Sequence, residues 1–230
     1  DTAVAWAEPN RVRGIAALAS PSWWPDDPLL GDGHQWALHN PGPDGPAGGL
    51  AGADVRALEA WSCCTGANAL RLAVADTGVD PAHPDLGGTL PDGSPRFVAG
   101  VNVTGMEAVD QVADSVGHGT PVAGVLGART NDGPHFDSLG IAGVCGGDGA
   151  GNVGCRIVPI KIAPQHSTSA TSYAIAAAIA HATAVGARAM NLSFAGALPS
   201  RVERLALQYA ITHGCVVVAA AGNHGYSAAR

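Results

Sequence analysis

A histidine with small neighbours is the first residue of this chain that indicates chemistry. His118 lies in the segment 116–124, Val-Gly-His-Gly-Thr-Pro-Val-Ala-Gly, whose small side chains leave an imidazole accessible. An imidazole is the side chain that most readily exchanges a proton near neutral pH. Pro121 fits a helix only in its first turn, because proline lacks the N–H that later turns require. The segment therefore predicts a reactive base at the start of a Gly- and Ala-rich helix.

Two further polar residues follow apolar segments that have the composition of buried strands. Asp76 ends the segment Arg71–Asp76, and Asn223 comes shortly after the segment Cys215–Ala221. A general base needs an acceptor that fixes its tautomer, and Asp76 is the strand-end carboxylate available to His118. A side-chain amide such as that of Asn223 donates to the oxygen that becomes negative when a carbonyl turns tetrahedral. These residues are therefore predicted to act as orienter, base and oxyanion donor.

Asp76 considered alone has two other interpretations. A carboxylate after a strand often accepts hydrogen bonds from turn amides. An aspartic peptidase holds its water between two Asp-Thr/Ser-Gly carboxylates, whereas this chain has a single such tripeptide, at 76–78. The partnership with His118 favours the orienting role over both.

The elements that must position these residues alternate along the chain. Near-continuous apolar runs are typical of parallel strands covered on both faces. Such strands are predicted at Arg71–Asp76, Phe97–Val103, Arg156–Ile162, Ala189–Ser193 and Cys215–Ala221. A short helix capped by Asp54 is predicted to run through Trp61, and another is predicted to begin after His118. Two longer helices are predicted over 169–185 and from the capping box 200–203 to Gly214.

This alternation predicts an α/β fold, a doubly wound, mostly parallel sheet flanked by helices and connected by right-handed crossovers. Ligands bind such sheets at the carboxyl ends of the strands, where Asp76, Ser193 and Asn223 all fall. With 230 residues and 47% hydrophobic content, the chain is long enough to bury one core. A net charge of −7 argues against a nucleic-acid partner, and the aliphatic runs are far shorter than the ~18 residues of a membrane span.

The motifs around Asp76, His118 and Asn223, in this chain order, resemble those of the subtilisin-like serine peptidases, the subtilases. The resemblance runs from about Asp27 to Asn223. It implies a secreted or extracytoplasmic serine endopeptidase that hydrolyses an extended peptide or protein substrate and uses no catalytic cofactor. It also implies that Asp76 orients His118 and that Asn223 stabilises the oxyanion.

The resemblance extends to the substrate-binding segments. The segment 190–196, Met-Asn-Leu-Ser-Phe-Ala-Gly, is similar to the strand with which these enzymes pair an extended peptide. Ala195 stands where they often have glycine. The substrate-binding residues implied in this way are Ser193, Phe194 and Ala195, together with Ala220, Ala221 and Gly222 as walls of the primary specificity pocket.

The nucleophile of the family lies in a Gly-Thr-Ser context that opens a further helix, and no serine of this sequence has that context. We expect the serine in a complementary C-terminal segment or chain, so that residues 1–230 alone are inactive. The alternative is a non-catalytic peptide-binding or scaffold module that has kept the fold and lost the nucleophile. Residues 1–26 are expected to be a propeptide tail or lead-in, and 27–230 a C-terminally incomplete peptidase domain.

Two structural features are also expected. Asp85, in the His-Pro-Asp-Leu segment 83–86, matches an aspartate that commonly serves a calcium site in subtilases, and Asn131 would add a second hard oxygen ligand. Cys145 and Cys155 flank a Gly-rich loop, and a disulfide between them would close a small ring and favour an oxidising compartment. The adjacent Cys63 and Cys64 are expected to be small buried hydrophobes.

Overall fold

A computed structural model describes residues 24–46, 48–132, 140–196 and 198–223. Within these ranges the strands form one sheet in the order β2-β3-β1-β4-β5, and every described pairing is parallel. The strands are β1 (Arg71–Asp76), β2 (Val101–Asn102), β3 (Arg156–Lys161), β4 (Ala189–Leu192) and β5 (Val216–Ala219). The predicted parallel sheet is confirmed, with β1 at its centre.

The helices are α1 (Pro28–Gly31), α2 (Ala57–Trp61), α3 (Gly119–Gly127), α4 (Ser172–Ala184) and α5 (Arg201–Thr212). Thr171 caps α4, since its hydroxyl accepts the N–H of Ala174. Ser200 caps α5 in the same way by accepting the N–H of Glu203. Pro121 lies in the first turn of α3, as its missing N–H requires.

Asp54 does not cap α2, and this prediction is wrong. The helix begins after Arg56, which has a left-handed backbone with φ of 58°. The Asp54 carboxylate instead accepts the backbone N–H of Asn40 and of Arg56, each at 2.7 Å. It therefore joins two turns rather than satisfying the first turn of the helix.

Strand β2 is also shorter than the predicted Phe97–Val103. Ala99 has a left-handed backbone with φ of 50°, which a strand cannot contain. Phe97 consequently makes only an isolated bridge to Ile157, and regular pairing begins at Val101. The apolar composition identified the segment correctly, but a single residue with positive φ divides it.

Alternate side chains of the strands enter two separate cores. Ala73 and Ala75 of β1 pack with Ile179 and its neighbours in α4 and with Ala210 of α5. Val74, between them, packs on the other face with Ala123 of α3. Because the faces alternate along a strand, helices cover both sides of the sheet, as the doubly wound prediction requires.

This arrangement corrects one expectation about topology. The connections through α3, α4 and α5 all advance in the same direction across the sheet order β2-β3-β1-β4-β5. However, α3 covers one face whereas α4 and α5 cover the other. Since all strands are parallel, the α3 connection must have the opposite hand to the other two. The crossovers therefore cannot all be right-handed.

Residues 24–26, which were expected to belong to a lead-in, make contacts with the domain. The indole of Trp24 packs edge-on against His39, with ring centroids 5.2 Å apart. The N–H of Asp26 donates to the side chain of Asn131 at 2.7 Å. The remainder of the expected lead-in, 1–23, lies outside the described residues.

The packing of α4 yields a stability prediction. Ile179 is completely buried, so Ile179→Ala is expected to lower the free energy of unfolding by about 2–5 kcal/mol through lost contacts and a cavity. Val125 is 59% exposed on α3, and Val125→Ala should change it by less than about 0.5 kcal/mol. Urea denaturation of both variants measures the difference. Equal losses would contradict the assignment of α4 to the core.

Candidate active site

Strand β1 and helix α3 bring Asp76 and His118 together. Asp76 is the last residue of β1, and His118 immediately precedes α3. The Nδ1 atom of His118 lies 2.7 Å from Oδ1 of Asp76. Because a carboxylate accepts hydrogen bonds, Nδ1 carries the proton and donates it. The Asp76 side chain is 3% exposed and that of His118 is 52% exposed, so Nε2 remains open to a substrate or nucleophile.

The approach of α3 to β1 requires glycine at its first position. A Cβ atom on Gly119 would lie 2.0 Å from the carbonyl oxygen of Gly78 and 2.9 Å from the Cβ of Asp76. Both distances are far below van der Waals contact, so no other residue fits without movement of the backbone. The glycine that follows His118 is therefore what allows the imidazole to reach the carboxylate.

Asp114 organises the loop before His118, and the sequence analysis did not identify it. Its Oδ1 atom accepts the N–H of Val116 at 3.1 Å, the N–H of Gly117 at 2.9 Å and the Thr77 hydroxyl at 2.9 Å. Burial raises the pKa of Asp114. Hydrogen bonds from Thr120, Gly117 and Val116 outweigh this effect and lower the pKa to about 2. The signal in the sequence that could have identified Asp114 is its spacing, because an aspartate often accepts the backbone N–H groups two and three residues after it, as in Asx turns.

The same carboxylate holds the start of α3. Its Oδ2 atom accepts both the N–H and the hydroxyl of Thr120, each at 2.9 Å. The hydroxyl of Thr77, which donates to Asp114, also accepts the N–H of Gly119 at 3.0 Å. The turn after β1, the loop before His118 and the helix start are consequently fixed to one another through one carboxylate.

Lys161 is a buried cation next to the Asp76–His118 pair. It is 1% exposed at the end of β3 and stands opposite Asp76 in the register of the sheet. Its Nζ atom donates to the carbonyl oxygens of Thr77 at 2.7 Å and Ala113 at 3.2 Å. The lysine therefore binds the β1 turn to the loop that carries Asp114. Within an apolar strand pattern, nothing marked this cation as part of the site.

A groove of about 830 Å³ extends from the Asp76–His118 pair. It is lined by Asn223 and by Ser193, Phe194 and Ala195, so the structure places these sequence-predicted residues around one cavity. Gly222 lies against the same segment, since a Cβ there would be 3.3 Å from that of Ala195. Ala220 and Ala221 are exposed, and the N–H of Ala220 donates to Leu192 at the end of β4.

The predicted calcium ligands lie in different hydrogen-bonded settings. Oδ2 of Asp85 accepts the N–H of Ile141 at 3.3 Å, and Oδ1 of Asn131 accepts the N–H of Asp26 at 2.7 Å. The Asn131 N–H donates to Asp27, whose pKa is raised to about 6, mainly by burial. Among the described residues there is no group of three or more His, Cys, Asp or Glu side chains that could hold a metal.

All five cysteines lie in the described ranges, and all are free thiols. The disulfide predicted between Cys145 and Cys155 is therefore not formed in this structure, although the two side chains are hydrogen-bonded neighbours. The hydrogen bond from Cys145 lowers the pKa of Cys155 to about 7 and raises that of Cys145. Cys63 and Cys64 are exposed rather than buried, because they follow the short helix α2 at the surface.

Comparison with known proteins identifies the class of this fold and site. A sequence profile of the subtilase family matches residues 67–230. The chain therefore belongs to the subtilase family, which confirms the resemblance inferred from its motifs.

Individual relatives are serine proteinases. The chain is 34% identical over 227 residues to the thermophilic serine proteinase of Bacillus sp. (strain AK1), covering 97% of this chain and 45% of that protein. It is 34% identical over 174 residues to thermitase of Thermoactinomyces vulgaris, covering 76% of this chain and 54% of thermitase. The chain thus spans about half the length of these relatives.

A solved structure gives the same result. The crystal structure of fervidolysin from Fervidobacterium pennivorans aligns with a TM-score of 0.54 at 33% identity, covering 71% of this chain and 22% of that one. The parallel sheet with helices on both faces is therefore the subtilisin-like fold. In the described part of the chain, no helix is long and apolar enough to cross a membrane.

The contacts of Asp114 lead to a pH-dependent prediction. Its pKa falls from 3.8 to about 2 on folding, so its stabilising contribution is present above pH 3.8 and is lost as the pH falls through about 2. Asp114→Asn should lower the free energy of unfolding by about 1–2 kcal/mol at pH 6, a value discounted for partial exposure. The difference from the wild type should shrink between pH 4 and pH 2.

Denaturant unfolding at several pH values measures this effect. The matched control is Asp110→Asn, which removes the same charge from an exposed position in the same loop and should cost less than about 0.5 kcal/mol. A loss for Asp114→Asn that does not vary with pH would show that the carboxylate charge is not what holds the loop.

Proposed function

We propose that the protein is a serine endopeptidase in which Asp76, His118 and Asn223 act with a serine that lies outside residues 1–230. The 2.7 Å contact between Asp76 and His118 at the end of an open groove carries this proposal. Nε2 of His118 would remove the serine proton while the serine oxygen attacks the scissile carbonyl. The amide of Asn223 would donate to the resulting oxyanion. His118 would then pass the proton to the leaving amine, and water would hydrolyse the acyl-enzyme.

We do not assign the nucleophile to the serines that line the groove. Ser169, Ser172 and Ser193 line it, and the Ser193 hydroxyl accepts the side-chain N–H of Asn191 at 2.7 Å. Among the described residues, no serine hydroxyl lies within hydrogen-bonding distance of the His118 ring. The nucleophile is therefore assigned to a complementary C-terminal segment, as the sequence motifs imply.

An exposed apolar region gives that segment a place to pack. Strand β5 is the last strand of the sheet, and its Val216 and Val218 are 61% and 56% exposed. Leu205 and Ile211 of α5 are 53% and 63% exposed. Among the described residues, β5 pairs only with β4, and a free strand edge beside apolar side chains normally receives another element in a native protein.

The substrate would be an extended peptide or protein chain that pairs with 193–195. Ala220, Ala221 and Gly222 would wall the primary specificity pocket, as the resemblance implies. We propose a location outside the cytoplasm, since relatives include a cell wall-associated protease of Bacillus subtilis. A major intracellular serine protease of the same organism is also similar, so the location needs a direct test by fractionation of cells.

Structural calcium is part of the proposal, because subtilases commonly bind it. Asp85 and Asn131 supply oxygen donors of the type that calcium prefers. The buried Asp27 is hydrogen-bonded to Asn131, and ionisation of its carboxyl above pH 6 leaves a negative charge that a cation would neutralise. The donor types, carboxylate and amide oxygens, therefore fit calcium.

Calcium is accordingly expected to raise the Tm of the protein. Asp85→Asn should reduce the rise, because it removes a charged ligand, whereas Asp44→Asn removes an exposed charge from another loop and should leave the rise unchanged. Differential scanning calorimetry with calcium, magnesium or chelator measures it. An identical Tm with calcium and with chelator would exclude the site.

The role of the missing segment gives an activity prediction. Residues 1–230 alone should neither cleave peptides nor react with a serine-directed phosphonate, because the proposed nucleophile lies outside them. Protein that includes the serine-bearing segment should do both. In that protein His118→Ala should lower kcat by about 10⁶-fold, the loss found when subtilisin lacks its histidine, and Asp76→Asn by about 10⁴-fold.

Active-site labelling and kcat measurements on these variants decide between the two functions. Peptide binding without cleavage or labelling by the longer protein would favour the non-catalytic peptide-binding module. Cleavage by residues 1–230 alone, abolished by His118→Ala, would place the nucleophile within those residues and contradict our assignment.

A further inference from the structure

We propose that Glu203 makes one end of the groove selective for a lysine or arginine side chain of the bound peptide. This inference rests on the proposed binding of an extended peptide in the groove. Glu203 is the third residue of α5 and lines the same cavity as His118, Asn223 and Phe194. A carboxylate in that position would act on substrate choice rather than on the reacting bond.

The groove contains two carboxylates with different availability. The Asp76 side chain is 3% exposed and is hydrogen-bonded to His118 and to the N–H of Thr77. Glu203 is half-buried, and no basic side chain of the described residues lies within ion-pair distance of it. Among the described residues of the groove, its carboxylate is therefore the negative charge that a ligand can reach.

The helix start does not use the Glu203 carboxylate either. In a complete capping box the carboxylate accepts the N–H of the capping residue. Here the Ser200 hydroxyl accepts the Glu203 N–H at 3.4 Å, but among the described residues the return bond to the carboxylate is not formed. Among the described residues, Glu203 thus offers a charge that no neighbour has taken up.

The walls of the groove fit the rest of a basic side chain. Ile162, Ile175, Phe194 and Leu198 give apolar surface, and Thr168 and Ser169 give hydroxyls. Lysine and arginine have long aliphatic stems that pack on such surface while the cationic head reaches a carboxylate. The ring of Phe194 adds an aromatic face that attracts cations. The Glu203 carboxylate would repel an acidic side chain of the peptide, and the net charge of −7 on the protein would disfavour such a peptide further.

The test compares peptides that differ at one residue. The enzyme is the protein that includes the serine-bearing segment. For each peptide position on the acyl side of the scissile bond, kcat/KM is measured for three peptides that carry Lys, Gln or Glu at that position. We expect one position at which Lys exceeds Glu by about tenfold at low salt, with Gln between them, and a smaller ratio at high salt. Glu203→Gln should remove the preference, and Glu203→Arg should reverse it.

The charge-matched control is Asp44→Asn, which removes one negative charge from an exposed position outside the groove and should keep the preference. Binding of the same peptides to the His118→Ala variant, measured by fluorescence anisotropy, makes the test independent of turnover. Cleavage or binding without a Lys preference, or with one that Glu203→Gln leaves unchanged, would overturn the inference, as would failure of every peptide to bind. Lys-selective binding that depends on Glu203, without any cleavage, would support the inference and overturn the peptidase function.

Discussion

The site depends on the close approach of two backbones, at the turn after β1 and the first residue of α3. A Cβ on Gly119 would lie 2.0 Å from the Gly78 carbonyl oxygen, and one on Gly78 would lie 2.6 Å from that of Val112. Gly78 also has φ of +115°, which side chains rarely adopt. Two glycines therefore allow a strand and a helix from distant parts of the chain to meet, and Asp76 reaches His118 only because they do.

Two charged side chains hold this junction together, a partly buried carboxylate and a buried ammonium group. Asp114 gathers amide and hydroxyl donors from the loop before His118 and from the start of α3, and Lys161 holds the carbonyl oxygens of Thr77 and Ala113. A charge removed from water must find partners, so each of these side chains fixes several backbone groups at once. Positioning of the imidazole is therefore a property of the whole junction and not of the Asp76 contact alone.

Two carboxylates among the described residues of the groove lie in different surroundings. At one end the charge of Asp76 is buried and committed to the imidazole, so that it orients a base. Glu203 stands in the first turn of α5, directly after the chain segment that lines the groove, and its carboxylate is committed to no described neighbour. The two carboxylates thus differ in burial and in partners, and this difference is the basis of the separate roles proposed for them. The exposed apolar side chains of β5 and α5 lie apart from both roles and favour contact with a further element.

The sequence by itself determined the parallel α/β sheet and the limits of most strands. It also determined that Asp76, His118 and Asn223 lie at or near strand or helix ends. These features follow from the hydrophobic period, from glycines and from capping residues, all of which act locally. It also placed Asp76 and His118 together, since the carboxyl ends of parallel strands and the starts of the helices that follow them share one edge of the sheet. Only the tertiary structure decided the left-handed turn at Ala99 that shortens β2, the opposite hand of the α3 connection, the free thiols of Cys145 and Cys155, the contacts of Asp114 and Lys161, and the place of Glu203 in the groove. Those features depend on which distant backbone groups meet a side chain, and no local pattern encodes such meetings.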